Sequence, residues 1–172
     1  MVLRLLIAYF AEINVRGMSV RLIVQRVREA SVHVDGTSIA AIGAGLLVFV
    51  GFGLKDAETE AWPSLEALLR KLPLLRIFPD NEKRMNASLA DVGGEMLLVS
   101  QFTLYADCNK GRRPSLHLAC PPQAAAGLYD KVCAAMRCIL PGKIQSGIFA
   151  ADMDVSLINW GPVTLFLDSN DM

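Results

Sequence analysis

Net charge is absent from this chain, histidine is scarce and no Cys-x-x-Cys pair occurs. Seventeen basic and seventeen acidic side chains cancel over 172 residues, so no global field recruits or repels nucleic acid, and any such contact must use a local patch. The only histidines, His33 and His117, lie far apart, and among Cys108, Cys120, Cys133 and Cys138 the nearest thing to a ligand pair is His117-x-x-Cys120. A tetrahedral site needs three or four ligands, so neither a metal nor any other cofactor is expected. The cysteines instead suit reduced, mostly buried thiols in a cytoplasmic protein. Gly43-Ala-Gly45 carries neither the Walker lysine nor the spaced dinucleotide fingerprint, which argues against a nucleotide cofactor. The apolar run Val2 to Phe10 is interrupted by Arg4; it is too short to cross a bilayer and is followed by no small-x-small cleavage site. No Ser-His-Asp or Cys-His arrangement and no pair of acids in a shared motif stands out, so any catalysis must rest on positioning and backbone dipoles.

What is present reads as one compact domain. Residues are 53% hydrophobic and 20% charged, enough apolar matter for a sizeable core. Met18 stands just before a strong strand pattern, so residues 1–17 read as an upstream extension, 18–168 as the domain and 169–172 as a tail. Val20 to Val34 is rich in β-branched residues with polar ones interleaved, and Asp35-Gly36 is a hairpin signal. Leu46 to Phe52 is a continuous apolar run of strand length, expected to be buried on both faces. Asp56 can cap a helix whose Trp62, Leu65, Leu68, Leu69 and Leu72 share one side, with Pro63 either kinking it or marking a later start.

A short strand is expected over Leu74 to Phe78, and a long one over Glu95 to Leu104. The latter changes from purely apolar to alternating, bringing Ser100, Gln101 and Thr103 to its end; buried polar groups there must be paired, at about 1–3 kcal/mol each if they are not. Lys110-Gly-Arg112-Arg113-Pro is the densest positive cluster, in a polar loop suited to phosphate. Gln123 to Leu140 has helical spacing and is stopped by Pro141-Gly142. Finally, Val155 to Ile158 and Val163 to Leu167 read as strand segments on either side of Gly161-Pro162, where the backbone must turn or bulge.

Two of these stretches acquire a further meaning together. Ser100-Gln-Phe-Thr-Leu104, followed by Asn159-Trp-Gly-Pro-Val-Thr164, resembles the paired signatures of the D-aminoacyl-tRNA deacylases. The similarity extends to Gln25-Arg-Val27, Gly43-Ala-Gly-Leu-Leu47, Arg76-Ile-Phe78, Gly111 with Arg113-Pro114-Ser115, Leu128-Tyr129 and Phe149-Ala-Ala-Asp-Met153, and spans about residues 18–168. It implies a single α+β domain of mostly antiparallel sheets forming a barrel-like core with packed helices. It implies hydrolysis of the ester joining a D-amino acid to the 3′-terminal adenosine of tRNA, with glycyl-tRNA also accepted.

By the same resemblance, Ser100, Gln101, Phe102 and Thr103 surround the aminoacyl group, and Phe149, Ala150 and Met153 lie near the adenine. Gly161-Pro162 is a cis peptide that enters the partner subunit's site in a homodimer and rejects L side chains, with Arg26 and Asn159 supporting the motif. Lys110, Arg112 and Arg113 offer phosphate contacts to the tRNA. A positioned water, backbone N–H groups of Gln101–Thr103 and the substrate's ribose 2′-hydroxyl are the expected catalytic parts. Trp160 departs from the family's usual small or acidic residue, and Pro63 and Pro73 interrupt a helix region usually free of them. Two other functions remain open: a tRNA- or DNA-binding module of the same fold without activity, and an L-alanyl-tRNA deacylase on a related fold.

Overall fold

The computed structural model describes residues 20–57 and 62–171; the extension expected over residues 1–17 lies outside the described residues. Strand β1, Val20–Val34, runs through the whole sheet. Its apolar and β-branched residues alternate with polar ones, so one row is buried while the other faces out. At its end Asp35 and Gly36 both have positive φ, 50° and 75°. That is the primed turn whose twist matches antiparallel strands, and β2, Thr37–Ile42, returns along the second half of β1. Strand β3, Gly45–Phe52, lies antiparallel to the first half.

Helix α1 spans Trp62–Lys71. Asp56 is buried in a 3-10 turn over Leu54–Ala57, where its carboxylate accepts the Gly53 N–H at 2.6 Å; the stretch between it and α1, on which a cap would act, lies outside the described residues. The strand expected over Leu74 to Phe78 is also shorter, because Pro73 sits in a 3-10 turn, Leu72–Leu74, and only β4, Phe78–Pro79, pairs with β5, Met85–Ala87.

Strand β6, Glu95–Ser100, lies parallel to β3, and β7, Ile144–Ser146, lies parallel to β6. Helix α2, Pro122–Ile139, makes the crossover between β6 and β7. These parallel pairings account for the unbroken apolar character of β3 and β6, since neither face of such a strand meets water. Strand β8, Asp154–Asp168, closes onto the free side of β1.

The core has two parts. Leu46, Val48, Met96 and Leu98 face α1 and α2, with Leu65, Leu68, Leu69, Tyr129, Val132 and Met136 packed against them. The alternate residues Leu47, Leu97 and Val99 face the other way, onto Val27, Ala30, Val32, Ala40 and Ile42 of the β1–β2 hairpin, which curls over them. The result is a mixed α+β domain with a nearly closed, barrel-like sheet and two α-helices among the described residues. Residues 169–171 form a 3-10 turn whose buried Ser169 hydroxyl accepts the Val20 N–H at 2.9 Å. No described helix is long and apolar enough to cross a membrane. Cys120 and Cys133 are buried, but Cys108 and Cys138 are exposed, so only half of the thiols meet the expectation of burial.

Candidate active site

The parallel strands β3 and β6 end at one point, and the chain departs there from the long strand that the sequence suggests. After Ser100 the backbone leaves β6 and enters a 3-10 turn over Phe102–Tyr105. The Gln101 N–H still donates to the Val50 carbonyl at 2.7 Å, the last rung of the ladder with β3, but the Gln101 carbonyl lies so close to Gly51 that a Cβ there would stand 2.7 Å from it. The far end of the turn is held by Arg21, which donates to the Leu104 carbonyl at 2.9 Å while its guanidinium stands 4.3 Å from the centre of the Tyr105 ring. Within the turn, the Gln101 amide donates to the Thr103 hydroxyl at 2.6 Å. Phe102 is left 54% exposed.

The opposite wall comes from the segment between β7 and β8. Gly147 N–H donates to the Leu98 carbonyl at 2.9 Å, which brings this segment across the end of β6. Ala150 then takes φ 61°, a left-handed conformation that an L residue adopts only when its surroundings hold it there. Phe149 packs against Tyr129 of α2 with ring centres 6.0 Å apart. Met153 packs on the hairpin side of the core.

Between the walls is a cavity of about 490 Å³ that brings together Ser100, Gln101 and Phe102 with Phe149, Ala150 and Met153. Its size and largely apolar lining suit one small-molecule group. Thr103 is outside the lining and reaches the cavity only through Gln101.

Residues of the lining that sequence reasoning did not single out include Cys120, Pro122 and Asp152. Burial first, then the negative charge of Asp56, push the Cys120 thiol up from its ordinary 9.0. It is therefore a neutral thiol at physiological pH and a poor nucleophile. Asp152 is an exposed carboxylate at the cavity's edge. Its place within Phe149-Ala-Ala-Asp-Met153 was a signal that it belongs with the site. Among the described residues no group of three metal-ligating side chains occurs; His117 instead bonds Ser115, with Nδ1 and Oγ 2.8 Å apart.

Gly161-Pro162 lies elsewhere. Strand β8 is continuous through it, and the irregularity is a bulge rather than a turn: Asn159 pairs with Val27 and Thr164 with Gln25, so residues 160–163 all stand opposite Arg26. The Gly161-Pro162 peptide bond is cis. Arg26 is buried and donates to the Trp160 carbonyl at 2.7 Å and to the Ile77 carbonyl. Asn159 closes the base of the bulge with its side chain, Oδ1 accepting the Val163 N–H at 2.9 Å and Nδ2 donating to the Val163 carbonyl and the Thr164 hydroxyl, both at 3.2 Å. Gly161 and Pro162 themselves are exposed and contribute nothing to the cavity lined by Ser100 and Met153.

Lys110, Arg112 and Arg113 are exposed on a loop tied at its base by a two-way backbone bridge between Asp107 and Ser115, at 2.8 and 2.9 Å. They also lie outside the cavity lining.

Comparison with known proteins places this geometry. The family model described as D-Tyr-tRNA(Tyr) deacylase matches residues 23–168. A D-aminoacyl-tRNA deacylase of Solidesulfovibrio magneticus is 59% identical over 153 residues, covering 88% of this chain and 97% of that one. A protein of the same name from Nitratidesulfovibrio vulgaris is 56% identical, covering 88% and 94%. Among solved structures, the c-Myc DNA unwinding element binding protein superposes with a TM-score of 0.77 at 40% identity, covering 86% of this chain and 97% of its own. With cavity, turn and bulge all carried on the matched stretch, the chain belongs to the D-Tyr-tRNA(Tyr) deacylase family.

Proposed function

We propose that this chain hydrolyses the ester between a D-amino acid and the 3′-terminal adenosine of tRNA, releasing the amino acid and a free tRNA end. The observation that carries the reading is the single cavity joining Ser100, Gln101 and Phe102 to Phe149, Ala150 and Met153 in a member of this family. The aminoacyl group lies against the first set and the adenine against the second. Water attacks the ester carbonyl, and the resulting oxyanion is met by backbone N–H groups. The Gln101 N–H is already donated to Val50, so this role falls to Phe102, which lines the cavity. It opens a 3-10 turn, and its N–H precedes any carbonyl of that turn. Collapse of the intermediate breaks the bond to the ribose 3′-oxygen, which leaves with a proton; the neighbouring 2′-hydroxyl assists that transfer. Thr103 orients the turn and is not the nucleophile, because its hydroxyl meets an amide rather than a base.

Chirality is read by the Gly161-Pro162 bulge of a second copy. The bulge is exposed and absent from its own chain's cavity, which fits a site completed in a homodimer. Its backbone occupies the space an L side chain would need; glycine, with no side chain, passes, so glycyl-tRNA is also a substrate. Lys110, Arg112 and Arg113 meet the phosphates of the acceptor end.

The deciding experiment is release of tyrosine from D-tyrosyl- and L-tyrosyl-tRNA by the purified protein. Cleavage of the D ester alone is expected. Cleavage of neither by a folded dimer would favour a second reading, a nucleic-acid-binding module. That reading draws on the structural relative named as a DNA unwinding element binding protein and on the exposed Lys110–Arg113 cluster.

A further inference from the structure

The bulge opposite Arg26 carries a tryptophan whose surroundings do more than fill space. Trp160 immediately precedes Gly161-Pro162, and its ring meets three groups from two other elements. Phe78 of β4, fully buried, meets it edge-on with ring centres 6.1 Å apart at 74°. The guanidinium groups of Arg26 and Arg28 stand 5.0 and 4.0 Å from the ring centre. Arg26 is also bonded to the carbonyl of Trp160 itself, and its Nη2 lies 3.0 Å from where a Gly161 Cβ would be. Arg28, by contrast, is exposed, and its guanidinium lies over the same ring.

We infer that Trp160 and Arg28 form a brace that sets how far and at what angle Gly161-Pro162 projects, making both positioning residues for the rejection of L-aminoacyl groups. The physical reason is reach. Residues 160–163 face a single residue of β1, so no ladder of sheet hydrogen bonds fixes their height above the sheet. What fixes it is the Arg26 bond to the Trp160 backbone, the Asn159 clamp at the base, and the Trp160 ring wedged between buried Phe78 and the cation of Arg28. Removing the ring frees the first residue of the projecting stretch while leaving Arg26 and Asn159 in place. A filter that rejects by occupying space loses selectivity when its position spreads by a fraction of an ångström, whereas hydrolysis of the accepted D ester, carried out at the Ser100–Phe102 wall, does not depend on that position.

The inference rests on the reading of Gly161-Pro162 as the chiral filter, and the test separates the two. Dimeric wild type, Trp160→Ala, Trp160→Phe, Arg28→Gln and Pro162→Ala are each assayed for kcat/KM on D-tyrosyl- and L-tyrosyl-tRNA. Trp160→Ala should lower the D-to-L ratio about tenfold with D activity within about twofold of wild type. Trp160→Phe should restore most of the ratio, and Arg28→Gln should lower it by about threefold. If Pro162→Ala shifts the ratio while Trp160→Ala and Arg28→Gln leave it unchanged, the brace is wrong and the filter stands. If Pro162→Ala also leaves it unchanged, the filter reading itself fails, and the brace with it. Should Trp160→Ala not fold, Trp160→Phe and the exposed Arg28→Gln decide alone: an unchanged ratio in Arg28→Gln overturns the proposal.

Discussion

Tyr129 donates its buried hydroxyl to the Leu98 carbonyl at 2.8 Å, tying α2 to the strand that ends in the candidate active site. The same ring supports Phe149 from behind. Tyr129→Phe keeps the ring and removes the bond, so it should cost about 1 kcal/mol of unfolding free energy with little change in deacylation. Tyr129→Ala also removes the support for Phe149 and should cost about 3–5 kcal/mol, the range for emptying an aromatic from a core. Urea unfolding beside a D-tyrosyl-tRNA assay checks both; equal losses of activity in the two variants would assign the catalytic effect to the hydroxyl instead of the ring.

Burial gives this region a pH response. It pushes the Tyr129 hydroxyl well above its ordinary 10.0, and the Cys133 thiol one turn along α2 above its ordinary 9.0. The folded chain thus keeps protons that the unfolded chain gives up. The stability contributed by Cys133 is complete below about pH 9 and that by Tyr129 below about pH 10, and each is lost as pH rises beyond, by up to about 1.4 kcal/mol per pH unit. Between pH 9 and 11, Cys133→Ala combined with Tyr129→Phe should lose stability less steeply than wild type in parallel urea titrations.

Gly51→Ala should damage the site more than the fold around it. The new Cβ would stand 2.7 Å from the Gln101 carbonyl and 3.0 Å from Leu104 Cβ, so the turn carrying Phe102 and Thr103 must move. At Gly147 the closest atom is the Met153 sulfur, also 2.7 Å away, but a thioether swings aside cheaply. Gly51→Ala is therefore expected to lose at least about tenfold in kcat, and Gly147→Ala to act mainly on KM.

Thr103→Ala removes the acceptor that orients Gln101. Loss of one such bond is worth about 0.5–1.5 kcal/mol, or roughly two- to tenfold in rate. Activity falling to the uncatalysed level with fold and tRNA binding intact would make Thr103 the nucleophile and overturn the water mechanism.

Where local chemistry decides, the sequence was readable. Asp35-Gly36 marks its turn, the apolar run to Phe52 its doubly buried strand, and the alanine-rich stretch after Pro122 its helix. Where a distant partner decides, it was not. Glu95 to Leu104 looks like one strand because nothing local shows that its backbone will turn after Ser100, hard against Gly51 of the neighbouring strand. The left-handed Ala150 carries no signal at all, since alanine has no preference for that conformation. The parallel pairing of β3, β6 and β7 likewise depends on register set by the packing of α2. The motifs point to residues that line the cavity, Ser100 to Phe102 with Phe149, Ala150 and Met153; its geometry carried no such signal.

The pairing of β1 with β8 also constrains how the protein is made. Arg21 and Asp168, joined at 3.1 Å, are 147 positions apart. Synthesis proceeds from the amino end, so β1 emerges early and β8 is the last described strand to follow. Through most of translation β1 presents an unpaired edge, a template for the wrong partner. Arg21, Arg26 and Arg28 put positive charge along that edge, a composition that disfavours such pairing. The same order of emergence means that the nascent chain can form its helices and parallel strands before it has any Gly161-Pro162 to present. The last strand to arrive seals the barrel and brings the bulge opposite Arg26 with it.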